Sequence, residues 1–138
     1  VSTLVPEELH AAAAAAAKQA YAPYSGYRVG AVVVASDGRR FSGVNVENVA
    51  FGATICAEGN AISTAAAAGV RKIDVVAVAG LDSPDCTPCG NCRQLMGEFG
   101  VEAVVLQDGA GGVATCRLEE LLPLAFSPDM LGPDAGER

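Results

Sequence analysis

The sequence predicts an α/β domain of three layers, α/β/α, with helices on both faces of a mixed sheet of five strands. Apolar runs such as "IDVVAVAG" and "VEAVVLQD" are too unbroken for half-exposed strands and read as strands buried on both faces. Strong helix formers precede and separate them. The strand–helix–strand order favours parallel pairing through helical crossovers. A chain of 138 residues suits one domain, residues 1–138, because roughly two thirds of its unfolded surface can be buried at this length.

Residues 3–20 open with Pro6 and two glutamates, continue as "AAAAAAAKQA" and predict the first helix, whose alanines give a smooth face for close packing. "YAPYSG" breaks it. "RVGAVVVA" and "RFSGVNV", joined through the Asp-Gly of "SDGR", read as a hairpin. After a loop over 46–54, "CAEGNAISTAAAAG" reads as a helix stopped by Gly69. The strand "IDVVAVAG", the helix "CGNCRQLMGEFG" and the strand "VEAVVLQD" follow. A weak strand at 113–116 and a short helix around "LEELL" close the ordered core, expected over about 3–126. The Pro/Gly-rich end from Pro123, with its tail at 127–138, is expected to be loosely ordered unless something holds it.

Composition narrows the function. A net charge of -7 opposes binding nucleic acid through its phosphates, which needs clustered Lys and Arg; the nine basic residues are scattered. No apolar run reaches the ~18 residues of a membrane span. The start, "VSTLVPEELH", has no basic region followed by an apolar one, so the expected location is the cytoplasm. Five cysteines, at 56, 86, 89, 92 and 116, are an odd number in a chain with no secretory signal, which favours metal or redox chemistry over a disulfide framework.

Cys89 and Cys92, three apart on a helix, share a face and can grip one ion. Thr87-Pro88 reads as an N-cap followed by proline at the first helical position, putting Cys89 in the first turn; Thr54-Ile55-Cys56 repeats the plan. Two helix starts thus present thiols where free N–H groups and the positive dipole end favour thiolate. Three thiolates leave one corner of a tetrahedral zinc site open for water, whose pKa zinc lowers to about 7. Glu58, two residues from Cys56, does not share its face and instead borders the open corner as general base and then acid. Other readings stay open: C-x-x-C as a redox pair, Cys86 as fourth ligand of a non-catalytic structural zinc module, Glu58 as an ordinary helix residue. Cys116 reads as a buried small apolar residue.

"CAE" followed by "PCGNCRQ" resembles the zinc-dependent deaminases, in the variant with cysteine in place of the histidine ligand. "YAPYSGYRVGAVV", "GVNVENVAFG" and "LLPLAF" are similar, in order and spacing, to the small homotetrameric cytidine deaminases, from about Tyr21 to Phe126. The resemblance implies a cytidine-deaminase-like fold and a hydrolase of pyrimidine salvage. It would convert free cytidine or deoxycytidine to uridine or deoxyuridine and ammonia, with one zinc per subunit on Cys56, Cys89 and Cys92 and Glu58 as proton shuttle. By the same likeness, Asn45 and Glu47 bind the ribose, the carboxylate repelling a phosphate. Tyr27, where relatives carry Phe, packs on the base, and the N–H of Ala57 meets its carbonyl O2. Phe126 reaches a neighbouring subunit's pocket. The implied partners are a nucleoside and further copies of the chain, with no nucleic acid and no membrane.

One departure stands out. Many relatives read "CAER", whose arginine hydrogen-bonds the thiolates, whereas Gly59 follows Glu58 here. Arg93, directly after Cys92, is the candidate to offset the excess negative charge. Blasticidin-S-type aminoacyl-nucleoside deaminases share "CAE" and "PCGxCRQ" and remain the alternative.

Overall fold

The computed structural model describes residues 4–134, so the expected helix start at residue 3 and the last four residues of the tail lie outside the described residues. Helix α1 (Pro6–Ala17) is shorter than the predicted 3–20. Beyond Ala17 the N–H groups of Lys18, Gln19 and Ala20 bond only three residues back, and Tyr21 N–H turns to the carbonyl of Asn45. The backbone partner at Asn45 pulls the chain out of the helix. Leu9, Ala13 and Ala17, spaced by four, form the buried face.

Strands β1 (Val29–Ala35) and β2 (Arg40–Val44) make the predicted hairpin, with Val32 opposite Ser42. Its turn needs Gly38, whose φ of +92° lies where a side chain is strained. Helix α2 (Ala57–Ala67) leads to β3 (Ile73–Gly80), which runs antiparallel to β1 on its other edge. After β4 (Asp85–Cys86) and helix α3 (Gly90–Glu98), β5 (Ala103–Asp108) lies parallel to β3, with Val76 opposite Val104. Strand β6 (Val113–Arg117) pairs antiparallel with β5, and helix α4 (Leu118–Leu121) follows.

The sheet therefore has six strands where five were expected. The extra one, β4, is two residues pairing with Gln107 and Asp108 at the end of β5. A two-residue pairing beside Pro84 carries no periodicity to read. The mixed sheet and the three layers are as predicted. On β1, Val32 and Val34 join Leu9 and Ala13 of α1 in one apolar layer. Ala31, Val33 and Ala35 point the other way, into a layer with Ala61 and Ile62 of α2 and Met96 of α3. This period of two, with both faces covered, is why the strands read as unbroken apolar runs.

The helices sit close because glycines let them. A Cβ on Gly30 would lie 2.1 Å from the carbonyl oxygen of Ala13 in α1, and one on Gly43 would lie 2.5 Å from Ala61 N and 2.6 Å from Ala57 O in α2. Cys116 is half-buried, packed against the rim of the α2/α3 layer. Just ahead of the tail, Gln94 Nε2 donates to the Phe126 carbonyl at 2.9 Å, and Pro128–Leu131 form a 3₁₀ turn. Among the described residues no helix is long and apolar enough to cross a membrane.

Candidate metal and active site

Cys56 and Cys89 are themselves the N-caps of α2 and α3, in extended backbone conformation with ψ of 154° and 168°. This moves the caps from the predicted Thr54 and Thr87, since neither helix has a side-chain capping hydrogen bond and no hydroxyl is needed to start it. The consequence for the thiols differs from the expectation at one of them: Cys89 meets the N–H groups of Asn91 and Cys92 at its helix start, whereas Cys56 is governed by burial and by Cys89. Cys92 lies within the first turn of α3, fully buried. The three sulfurs lie within 4.8 Å of one another, Cys56 and Cys89 at 4.0 Å.

Those distances fit one ion. Tetrahedral zinc at about 2.3 Å from each sulfur sets neighbouring sulfurs about 3.8 Å apart, and an all-thiolate set is soft enough to select zinc. Electrostatics points the same way. Burial, then the charges of Glu58, Cys56 and Cys89, pushes the Cys92 thiol far up. Burial and the Cys89 charge push Cys56 up. Cys89 goes down: burial opposes this but is outweighed by the N–H and thiol of Cys92, by Cys56 and by the N–H of Asn91. A partly buried thiol cluster, of which Cys56 and Cys92 resist ionising beside one another's charge, is one whose thiolates a divalent cation stabilises. Cys86 stands outside the three-sulfur group: it is buried between Gly80 and the Tyr27 hydroxyl, which removes the four-cysteine arrangement that a structural zinc module requires.

Cys56 and Cys89 open onto a cavity of about 340 Å³. Glu58 and Ala57, at the start of α2, line the same cavity, and at 4% exposure the carboxyl of Glu58 is pushed up by burial. Tyr27, Asn45 and Glu47 line it too. Glu47 is fixed in advance: Oε1 accepts from Tyr24 N at 2.9 Å and Ser25 N at 3.1 Å, and Oε2 accepts from Ser25 Oγ at 2.5 Å. The Ser25 hydroxyl, then the two N–H groups, lower its pKa. Asn45 turns its amide to the backbone, accepting from Val29 N and donating to the Tyr27 carbonyl, so it shapes the wall around Tyr27. Tyr27 donates its hydroxyl to the Asp85 carbonyl at 3.2 Å, and its pKa is pushed up to about 12 by burial and then by Cys86.

Arg93, expected beside the thiolates, turns to the backbone, and Phe126, expected to reach a neighbouring subunit, lies outside this cavity. Arg93 donates Nε to the Pro88 carbonyl at 2.8 Å and Nη1 to the Leu121 carbonyl at 3.0 Å, with no hydrogen bond to a sulfur among the described residues. Phe126 is 59% exposed and absent from the lining of this cavity in its own chain. Sequence reasoning missed Ser25 and did not place Cys86 in the cavity wall. Ser25 lies within the turn-breaking "YAPYSG", and only its contact with Glu47, 22 residues away, marks it.

The model of the family described as "Cytidine and deoxycytidylate deaminase zinc-binding region" matches residues 5–108. The chain belongs to this cytidine and deoxycytidylate deaminase family. It is 40% identical over 127 residues to a cytidine deaminase of Sporosarcina psychrophila, covering 91% of this chain and 93% of that one. A cytidine deaminase of Mycobacterium tuberculosis is 38% identical over 116 residues, 84% of this chain and 85% of the other. The fold is that of a crystal structure of cytidine deaminase from Burkholderia pseudomallei, with a TM-score of 0.82, 43% identity, and cover of 89% of this chain and 100% of that one. The family match ends with β5, so all three sulfurs and the whole cavity lining fall inside the deaminase region.

Proposed function

We propose that the protein removes the amine from C4 of free cytidine or deoxycytidine by hydrolysis, releasing ammonia and uridine or deoxyuridine. The observation that carries this reading is a single cavity lined by Glu58, by two of three clustered thiols and by a pre-oriented carboxylate, Glu47. Cys56, Cys89 and Cys92 would hold zinc, which when bound supplies Lewis-acid activation of water and lowers its pKa to about 7.

Glu58 takes the proton from the attacking water and delivers it to N3 as C4 becomes tetrahedral. It then carries a second proton to the amine as the C4–N4 bond breaks. Its burial suits both halves, because pushing the carboxyl up from its ordinary value makes it a better proton acceptor. The N–H of Ala57, one of the free donors at the start of α2, would donate to the O2 carbonyl. Tyr27 flanks the base, with Asn45 fixing the backbone on either side of it.

Glu47 faces the sugar. With three acceptor sites taken by Tyr24 and Ser25, Oε2 retains one for a hydroxyl donor, and the charge repels a phosphate, which favours nucleosides over nucleotides. The net charge of -7 supports a small substrate over nucleic acid. We extend the reading to one deaminase domain over residues 1–138 and a homotetramer in which Phe126 reaches a neighbouring cavity. A cytoplasmic place in pyrimidine salvage suits thiolates that need a reducing compartment.

The test follows ultraviolet absorbance on loss of the amine with cytidine, deoxycytidine, CMP and blasticidin S. Turnover of the first two and not the last two is expected. Glu58→Gln is expected to retain zinc and lose about 10²–10⁴-fold in kcat. A fully active Glu58→Gln protein overturns the assignment of the proton shuttle, and turnover of blasticidin S in place of cytidine overturns the substrate.

A further inference from the structure

Arg93 and Gln94 follow the last of the clustered cysteines, and both reach toward the C-terminal part of the chain. Arg93 forks between two carbonyls: Nε meets Pro88 O, and Nη1 meets Leu121 O at the end of α4. Pro88 O belongs to the peptide unit that enters Cys89. A peptide unit is planar, so a hydrogen bond to its oxygen sets the plane from which the N–Cα bond of Cys89 leaves. The other side of that unit is fixed by the Pro88 ring, which is fully buried. The Arg93 N–H closes the loop by bonding Cys89 O at 3.0 Å, so one residue grips the backbone on both sides of an exposed sulfur.

Leu121 O is one of the carbonyls left free at a helix C-terminus. Five residues on, Phe126 O accepts from Gln94 Nε2. Neighbouring side chains of α3 thus hold the last residue of α4 and, five residues on, the backbone at Phe126, and one of them also holds the backbone at Cys89.

We propose that Arg93 is a positioning residue that couples the Cys89 thiolate to the docking of the C-terminal segment. The inference rests on the reading of Cys56, Cys89 and Cys92 as metal ligands. Its action is geometric: the guanidinium fork reaches two carbonyls at once, whereas an ammonium of equal charge on a flexible stem does not reproduce the fork. By linkage, metal at the cysteines stabilises the C-terminal segment, and that segment stabilises metal binding by the same factor.

The test loads the protein with Co²⁺ and compares wild type, Arg93→Ala and Arg93→Lys, reading the thiolate-to-cobalt bands, Co²⁺ affinity against a chelator, and amide exchange over α4 and residues 122–126. Amides of α1, on the opposite face of the sheet, are the internal control for folding. Both variants are expected to lose about 10–100-fold in Co²⁺ affinity, the range for residues that orient a ligand, and to shift the bands. Removing Co²⁺ from wild type is expected to speed exchange at the C-terminal segment; in Arg93→Lys that exchange is already fast and indifferent to metal. Recovery of wild-type affinity and bands by Arg93→Lys would overturn the proposal in favour of simple charge compensation. Metal-independent exchange in wild type would overturn the coupling. A wild-type protein that binds no Co²⁺ through sulfur would overturn the metal-site reading itself, and this inference with it.

Discussion

Tyr27 illustrates how a single side chain acquires behaviour that its type does not imply. Its ring lines the cavity, its hydroxyl meets the Asp85 carbonyl, and burial and then Cys86 raise its pKa to about 12. A raised phenol favours the neutral form in the folded state. Its contribution to stability is therefore complete below the ordinary tyrosine value of 10.0 and is lost as the pH rises through about 12. Alkaline titration of phenolate absorbance is expected to show a late step that Tyr27→Phe removes; an unchanged curve would place the hydroxyl in open solvent. The residue types of the site were readable because chemistry restricts them: sulfur for a soft ion, a carboxyl for proton transfer. What Asn45 and Arg93 bond was not readable. Both are polar side chains with several rotamers, and both turned to backbone carbonyls and N–H groups that only the folded chain brings near. Ser25 was hidden for the same reason, since its partner Glu47 lies across the hairpin.

The helices and strands were legible because burial on one face or two imposes a period, and α1, α2, α3 and the main strands follow it. Their ends were less so. A helix start needs satisfied N–H groups, and a threonine near the start looked like the donor's partner, yet a cysteine occupies each cap. The two-residue β4 has no period at all. Close packing of elements was likewise invisible until the helix above Gly43 was known. That glycine sits under the first two turns of α2, which carry Ala57 and Glu58, and an added Cβ meets backbone atoms, which cannot rotate away. Gly43→Ala is expected to lower stability by at least about 1–3 kcal/mol, as overpacking does, and to reduce kcat more than the loss of folded protein explains, because α2 must lift. Urea unfolding alongside active-site titration checks both. A variant with wild-type stability would mean that α2 rides higher on β2 than described.

Taken together, the elements leave a surface that one chain does not cover. Val49, Phe51 and Leu131 are more than 70% exposed, and Leu124 is fully exposed. Monomeric proteins tolerate scattered apolar residues but rarely gather them around a site. Here the segment from Val46 to Ile55 is both exposed and pinned: it bridges to Tyr21 at one end, closes on itself between Val46 and Ile55, and packs Phe51 edge-on against Tyr24 at 6.0 Å. A second cavity, of about 400 Å³, is lined by Tyr24, Phe51, Ser25, Glu47 and Thr54, the last three shared with the candidate active site. A neighbouring subunit seated on this rim would bury Phe51 and narrow the mouth over Glu47. The proposed homotetramer is therefore expected to matter for substrate binding as well as for stability. An arginine at the centre of such a contact places a charge where an aromatic is desolvated, and central aromatic anchors carry at least about 2 kcal/mol each in interfaces. Phe51→Arg is expected to shift sedimentation from tetramer toward smaller species and to raise KM for cytidine, while the thiolate-to-cobalt bands of the loaded protein stay in place. A wild-type protein that sediments as a fully active monomer would mean that each cavity is complete within its own chain.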